Sequence, residues 1–166
     1  MKSPKIVTET HRTNLSFLLK LKEATGILNN LIHDNLALMA IARFKTVYPR
    51  LTCTYINAGA SGHDILGKDD SGSIILIAEV KTTLPDIKGS IKGGQLTAIK
   101  KDLKRLAHNR EPAVQHRYLV LLSKSTEDAV QKQLRAATQY PSVTIINAFR
   151  EELHEVMKGD DTDTHE

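Results

Sequence analysis

Apolar residues recur along the chain at spacings typical first of helices and then of strands. Three-four spacing predicts a short helix over 14–24, closed by Gly26, and a longer helix over 27–47 that ends before Pro49. Alternating or continuous apolar runs predict five strands, at 51–57, 63–66, 74–81, 117–123 and 142–147. Three more helices are predicted over 95–109, 125–137 and 149–157. Ser125, followed three residues later by Asp128, matches a capping box and predicts where the second of these begins.

The order of these elements predicts the fold class. Two helices, three strands, and then alternating helices and strands are typical of an α/β domain built on a mixed central sheet of about five strands flanked by helices. The strand over 74–81 is apolar on both faces in its first half, which indicates a central strand covered on both sides. We expect one domain over 1–158, followed by a disordered acidic tail over 159–166.

Composition narrows the class of protein without identifying it. In 166 residues no apolar run approaches the roughly 20 needed to cross a bilayer, and the first residues lack the apolar segment of a secretory signal. The single cysteine, Cys53, excludes an intrachain disulfide and fits a reducing compartment, so we expect a cytoplasmic protein. The net charge of +4 is a mild bias, but residues 159–166 hold four acids and no Lys or Arg, so the rest of the chain is more basic.

The strongest chemical signal is a set of charged residues on two neighbouring predicted strands. Asp64 lies on the second strand, and Glu79 and Lys81 lie at the end of the third, where alternation places them on the same side. Mg²⁺ held by one or two carboxylates serves phosphodiester hydrolysis, and the Val80 carbonyl is a further candidate ligand. Lys81 would stabilise the phosphate or position the attacking water. The plain alternative is a solvated Glu79–Lys81 salt bridge, with Asp64 as a turn acid.

With Asp64, Glu79 and Lys81 so arranged, the chain resembles the PD-(D/E)xK nuclease superfamily, especially its restriction-endonuclease-like members. The family core, a helix, a three-stranded meander, a helix and a strand, is similar to residues 27–123. His63 stands where the family pattern has proline. The sequences 79–83, 93–95 and 101–103 also resemble the motif strand and following helix of small restriction enzymes.

The resemblance implies a metal-dependent deoxyribonuclease that hydrolyses phosphodiester bonds of double-stranded DNA. It implies Mg²⁺ as the cofactor, with Mn²⁺ as a substitute, and a homodimer, since one compact domain carries one active site. The expected function is that of a small type II-like restriction endonuclease. The alternatives are a Holliday-junction resolvase, a repair nuclease subunit that is inert without its partner, and a non-catalytic DNA-binding module that kept the fold.

Further candidates are assigned by the resemblance or by position. The family often adds an acid from its first core helix, which implies Asp34 as a further metal ligand, although a solvent-facing acid fits equally. Gln95 follows two glycines at a helix start and is a candidate for binding the scissile phosphate or a metal-bound water. The lysines that follow the motif strand are candidates for DNA-backbone contacts: Lys88, Lys92, Lys100, Lys101 and Lys104.

His63 is predicted to point to the face opposite Asp64, in a structural role. We expect DNA recognition from loops 57–63 and 82–94 and from the terminal helices.

Overall fold

The structure is a computed structural model that describes residues 4–56 and 62–147. Within α1, its first helix, only the backbone is described for residues 4–19 and 21–23. The predicted last helix over 149–157, the acidic tail over 159–166 and most of the recognition loop 57–63 lie outside the described residues. The chain forms two compact units, residues 1–32 and 33–166. All the candidate site residues belong to the second unit.

The first element is one long helix, α1, over Pro4–Val47. The prediction of two helices separated at Gly26 is wrong, because the helix continues through this residue. A single glycine costs a helix only about 1 kcal/mol relative to alanine, which a helix of this length can absorb. The predicted end before Pro49 is confirmed.

Five strands form one mixed sheet, with the spatial order equal to the chain order. The strands are β1 (Thr52–Tyr55), β2 (Ile65–Lys68), β3 (Ile74–Lys81), β4 (His116–Leu121) and β5 (Thr144–Asn147). The first three pair antiparallel, whereas β3, β4 and β5 pair parallel. This sheet, flanked by helices, confirms the predicted α/β class. The central position of β3 explains why its first half is apolar on both sides.

Three shorter helices complete the described part: α2 (Gly93–Ala107), α3 (Lys124–Leu134) and α4 (Ala136–Gln139). Hydrophobic clusters cover both sheet faces. On one face, here called the α2 face, Ile77 packs in a cluster with Ile99 and Leu103 of α2. On the other, the α1 face, Ala78 and Val80 share a cluster with residues of α1 from Leu36 onward. Alternation along β3 therefore places Glu79 and Lys81 on the α2 face.

The start of α3 differs from the prediction. The N-cap is Ser123, not Ser125, and its hydroxyl accepts a hydrogen bond from the Thr126 backbone N–H at 3.2 Å. Ser123 has the extended backbone that a cap requires, because it follows β4 almost directly, whereas Ser125 already lies in the first helical turn. The helix ends at Leu134, before the predicted 137, because Arg135 adopts a left-handed conformation with φ of 46°.

The start of β2 differs in a way that shapes the candidate site. We expected the strand to begin at His63, but it begins at Ile65, and Gly62 before it has φ of 120°. Residues 62–64 therefore form a bend, and alternation along a strand does not apply to His63 and Asp64. The start of α1 also differs, because the helix begins at Pro4 and not at the predicted residue 14, and the short helix α4 was not predicted. The other predicted bounds agree with the structure to within about two residues, the usual uncertainty of element ends. No described helix is long and apolar enough to span a membrane.

Candidate functional site

Asp64 is held between β1 and β3 by its main chain and side chain. Its backbone carbonyl accepts a hydrogen bond from the Ile56 N–H at 2.8 Å. Its side-chain Oδ2 accepts from the Val80 N–H, also at 2.8 Å. The imidazole of His33, on α1, lies with Nε2 3.6 Å from the same oxygen. The carboxylate is thus anchored to the strand that carries Glu79 and Lys81, while 20% of its side chain remains exposed.

The environment of Asp64 favours its ionised form. Burial alone raises the pKa of a carboxyl, but the interactions with His33 and with the Val80 N–H outweigh that effect. The charges of His33 and Lys81 lower the pKa of Asp64 further, so that it lies below its ordinary value. Asp64 is therefore an ionised oxygen donor at neutral pH.

Glu79 is buried, and its carboxylate already has partners within the chain. Its side chain is 1% exposed, with Oε2 accepting a hydrogen bond from Nη2 of Arg105 and Oε1 lying 2.6 Å from Nδ1 of His63. The expectation that His63 points away from this chemistry is wrong, because the bend over 62–64 turns its ring toward Glu79. On its other side, Nε2 of His63 lies 3.1 Å from Nδ2 of Asn109. An accepting Nε2 leaves Nδ1 to donate to Glu79.

Lys81 belongs to the same network. Its Nζ lies 2.8 Å from Oδ2 of Asp102, a buried acid on α2. Nη2 of Arg105, one turn later, donates to Oδ1 of Asp102 at 3.1 Å as well as to Glu79. Two carboxylates and two basic side chains are thus paired on the α2 face. Partners of opposite charge offset the desolvation cost of burying Glu79 and Asp102.

Asp64, Glu79 and Lys81 are therefore neighbours but are not directly bonded to one another in the described contacts. Asp64 is bonded to the backbone of Val80, between the other two, and the charge of Lys81 acts on its pKa. The solvated Glu79–Lys81 salt bridge is not what the structure has, since Glu79 is buried and each residue has a different partner. Across residues 4–56 and 62–147, no three His, Cys, Asp or Glu side chains are grouped to hold a metal ion.

The two further candidates for metal binding, Asp34 and Val80, make different contacts. Asp34 lies on α1, where its Oδ1 accepts a hydrogen bond from the Tyr55 hydroxyl at 2.5 Å. That hydroxyl also lies 3.2 Å from Nδ1 of His33, so that His33 and Tyr55 connect Asp34 with Asp64. Val80 contacts Asp64 through its amide N–H, whereas the prediction assigns a metal-binding role to its carbonyl.

The candidate phosphate-binding and DNA-binding residues lie on the surface. Gln95 is exposed in the first turn of α2. The five candidate lysines are all exposed, one in the loop before α2, one as its N-cap residue and three along it: Lys88, Lys92, Lys100, Lys101 and Lys104. None of the three on α2 belongs to its buried face, which holds Ile99, Leu103 and Leu106. They present positive charge to solvent, as a backbone-binding role requires.

Sequence reasoning missed four residues that contact the predicted triad, His33, His63, Asp102 and Arg105, and also Asn109, which contacts His63. For Asp102 a signal was present. It lies at helical spacing from Ile99 and Leu106, on the predicted inward face of α2, and an acid at such a position needs a partner. Arg105, three residues later, directly follows the exposed Lys104, so it resembles one more surface cation. No comparable pattern marks His63, whose orientation depends on the bend over 62–64.

No known protein family matches the sequence, and no curated protein matches it. Among solved structures, the YaeQ protein from Xanthomonas axonopodis pv. citri is similar with a TM-score of 0.39 and 12% sequence identity. The match covers 68% of this chain and 54% of that one, so the chain spans about half the length of the YaeQ protein. A likeness at this level carries no argument about family or function.

Proposed function

We propose that the chain is a Mg²⁺-dependent DNA endonuclease of the restriction-endonuclease-like class. The observation that carries the proposal is the hydrogen bond from the Val80 N–H to Asp64, at 2.8 Å. It ties the acid of one strand to the point on β3 that separates Glu79 from Lys81. This is the neighbourhood that the resemblance to PD-(D/E)xK nucleases implies.

The proposed cofactor is a divalent cation of the Mg²⁺ class, which keeps several waters and is commonly bound through one or two carboxylates. Asp64 and Glu79 supply the oxygen donors that hard cations prefer. A cation already lies against Glu79, the guanidinium of Arg105, so this carboxylate is placed where positive charge is stabilised. When bound, the metal ion would supply a water of lowered pKa and neutralise charge on the phosphate.

The chain's own residues would then orient the substrate. Lys81 carries a compact positive charge, fixed by Asp102 at 2.8 Å, that is suited to a non-bridging phosphate oxygen. The exposed lysines of α2 would contact the DNA backbone without reading its sequence. A homodimer acting on a palindromic duplex is the form in which one such site per chain cuts both strands.

A second candidate function is DNA binding without catalysis. The complete pairing of Glu79 with Arg105 and His63 favours it, because a buried, neutralised carboxylate is typical of a structural network. In that case loss of the Lys81 or Asp64 charge leaves DNA affinity unchanged. A Holliday-junction resolvase shares the catalytic proposal and differs in substrate.

The test is incubation of the purified chain with plasmid DNA, phage DNA and a synthetic four-way junction, with and without Mg²⁺, followed by mapping of the ends. Discrete Mg²⁺-dependent fragments support the restriction-type proposal, and cutting of the junction alone supports a resolvase. DNA binding without any cutting contradicts the nuclease proposal and favours the second candidate.

Lys81→Ala is the informative variant in this assay. We expect it to lower cleavage by about 10²-fold or more, the cost of removing one charged group that stabilises a transition state. Lys132→Ala, an exposed lysine on α3, is the matched control and should cut like the wild type. Equal cleavage by the two variants would remove Lys81 from the site.

A further inference from the structure

We propose, on the basis of the nuclease function proposed above, that Arg105 exchanges between two anions. Without metal, Arg105 is the positively charged partner of Glu79. When a divalent ion binds, Arg105 leaves Glu79 and contacts a DNA phosphate. Arg105 is thereby a substrate-binding residue whose availability depends on the metal. The geometry behind this proposal is one guanidinium nitrogen that contacts both Glu79 and Asp102 at the edge of the α2 face.

The first step is the need of Glu79 for a cation. Its side chain is 1% exposed, and an ionised carboxylate at that burial requires a charged partner. Arg105 supplies a positive charge that does not titrate in proteins and contacts Oε2 of Glu79, while His63 contacts Oε1. The chain therefore carries its own counter-ion at one of the two proposed metal ligands.

The second step is the charge balance. Glu79 and Asp102 carry two negative charges, and Lys81 and Arg105 carry two positive ones. A divalent ion beside Glu79 adds two further positive charges, so Arg105 and the metal repel each other at this carboxylate. Of the two cations, Arg105 is the one whose departure frees Glu79, because Lys81 is bonded to Asp102 instead.

The third step is where Arg105 goes. Its side chain is 42% exposed, so the guanidinium lies at the surface and not in the core. It follows Lys101 and Lys104 on α2, within the proposed DNA-contacting segment. A guanidinium binds phosphate oxygens with two parallel hydrogen bonds, which a lysine cannot do. Displacement from Glu79 therefore places a phosphate-binding group next to the proposed reacting centre.

The first measurement is calorimetric titration of the full chain with Mn²⁺ in the absence of DNA. Arg105→Gln keeps an N–H donor for Glu79 but removes the charge, and we expect it to bind Mn²⁺ about tenfold more tightly than the wild type, which corresponds to about 1.4 kcal/mol. Lys101→Gln removes the same charge one turn earlier on α2 and should change the affinity less than about twofold, because an exposed charge is screened. Equal or weaker Mn²⁺ binding by Arg105→Gln overturns the proposal.

A measurement on the wild type keeps the proposal testable should Arg105→Gln fail to fold. The side-chain N–H signals of Arg105 can be followed by NMR during a Mg²⁺ titration. We expect them to move toward those of a solvent-exposed arginine as Mg²⁺ saturates the protein. Signals that stay unchanged at saturation overturn the exchange.

The second half of the proposal is tested with DNA and Ca²⁺, under conditions where gels show the duplex intact. Arg105→Gln should bind DNA about tenfold more weakly than the wild type with Ca²⁺ and equally well without it. An equal loss in both conditions means that Arg105 contacts DNA independently of the metal, which overturns the exchange.

The failure of this inference is distinguishable from that of the proposed function. A wild type that cuts DNA, with no gain in Mn²⁺ affinity in Arg105→Gln, removes the exchange and leaves the nuclease. A wild type that cuts nothing, with the expected gain, removes the nuclease and leaves the competition at Glu79.

Discussion

Asp64, just before β2, is bonded to the backbone of the residue that follows Glu79 on β3, yet the protein surrounds the two acids differently. Asp64 is partly exposed and is held by a neutral backbone N–H and by the imidazole of His33. Glu79 is buried against the permanent charge of Arg105 and the ring of His63. The first arrangement keeps an ionised carboxylate available, whereas the second satisfies it within the chain. The comparison teaches that two acids with the same predicted role differ in what must be displaced before either one binds a cation.

The difference follows from which helix lies above each acid. The α1 face brings His33 and Tyr55 to Asp64 and Asp34, so the side-chain partners of these acids are an imidazole and a phenol hydroxyl. The α2 face brings Asp102 and Arg105 to Lys81 and Glu79, a set of full charges. Hydrogen bonds in which both partners are ionised are stronger than hydrogen bonds between neutral groups. We therefore expect substitutions on the α2 face to cost more stability than those on the α1 face.

The largest effect is expected for Glu79→Ala. It leaves His63 without its acceptor and Arg105 with Asp102 alone. Breaking a buried ion pair by removing one partner costs about 3–5 kcal/mol, and because the Arg105 side chain is 42% exposed we expect about 3 kcal/mol, the low end of that range. Asp64→Ala should cost less, about 1–3 kcal/mol, because it leaves one backbone N–H unsatisfied. Urea unfolding followed by circular dichroism measures both. Both variants should remain folded in buffer and lack cleavage. A larger loss for Asp64→Ala would reverse the comparison.

Asp102→Ala is expected to have the next largest effect. It removes the acceptor of Lys81 and one of the two acceptors of Arg105, and hydrogen bonds to charged groups contribute about 1.5–3 kcal/mol. The free energy of unfolding measures the loss. The matched control is Asp128→Ala, an exposed acid on α3 paired with Lys124, which should change stability by less than about 1 kcal/mol. Equal effects would show that the buried network adds nothing to stability.

A smaller effect is expected from the charge of Asp64, whose contribution to the stability of the fold depends on pH. Its pKa is lowered in the folded protein, so the unfolded chain binds its proton more readily. The stabilisation is then fully present above the unfolded pKa of about 4 and is lost as the pH falls through the lower folded value. Asp64→Asn should be less stable than the wild type by about 1 kcal/mol near neutral pH. That gap should close in acid. A gap that is constant with pH would exclude the charge as its cause.

The smallest effect is expected for Tyr55→Phe, on the α1 face. The substitution removes the hydrogen bond to Asp34 and the contact with His33 while keeping the ring. A net cost of about 0.5–1 kcal/mol is typical of a partly buried hydrogen bond. Thermal unfolding monitored by circular dichroism is sensitive enough to measure it. A loss as large as that of Asp102→Ala would contradict the ranking of the two faces.

The sequence predicted the fold well where the signal was local. β3 has the predicted bounds, since its continuous apolar run between turn residues is unambiguous, and the mixed five-stranded sheet follows from the order of elements. The misplaced cap of α3 has a physical cause, because Ser123 and Ser125 both carry a capping hydroxyl and only the end of β4 decides between them. The predicted break at Gly26 was wrong because the low helix propensity of a single glycine costs too little to interrupt a long helix.

The candidate site was predictable only in part. Glu79 and Lys81 could be selected because a strand fixes which side chains share a face. Asp64 was selected by its spacing from them and by the resemblance, although it lies in the bend before β2. Apart from Asp102, the partners of these residues could not be selected, since His63 reaches Glu79 through a bend and Arg105 reaches it from a helix 26 positions along the chain. Such long-range pairings depend on how α2 packs on the sheet, and no local pattern encodes that.

The central claim is that Asp64 and Glu79 share one divalent cation. Anomalous diffraction from crystals of the chain soaked in Mn²⁺ tests it most directly, because the signal locates the ion independently of the protein atoms. The account predicts one peak within coordination distance of both carboxylates, with the Arg105 guanidinium moved away from Glu79. Mn²⁺ bound elsewhere, with Arg105 still paired to Glu79 at saturating metal, would contradict it.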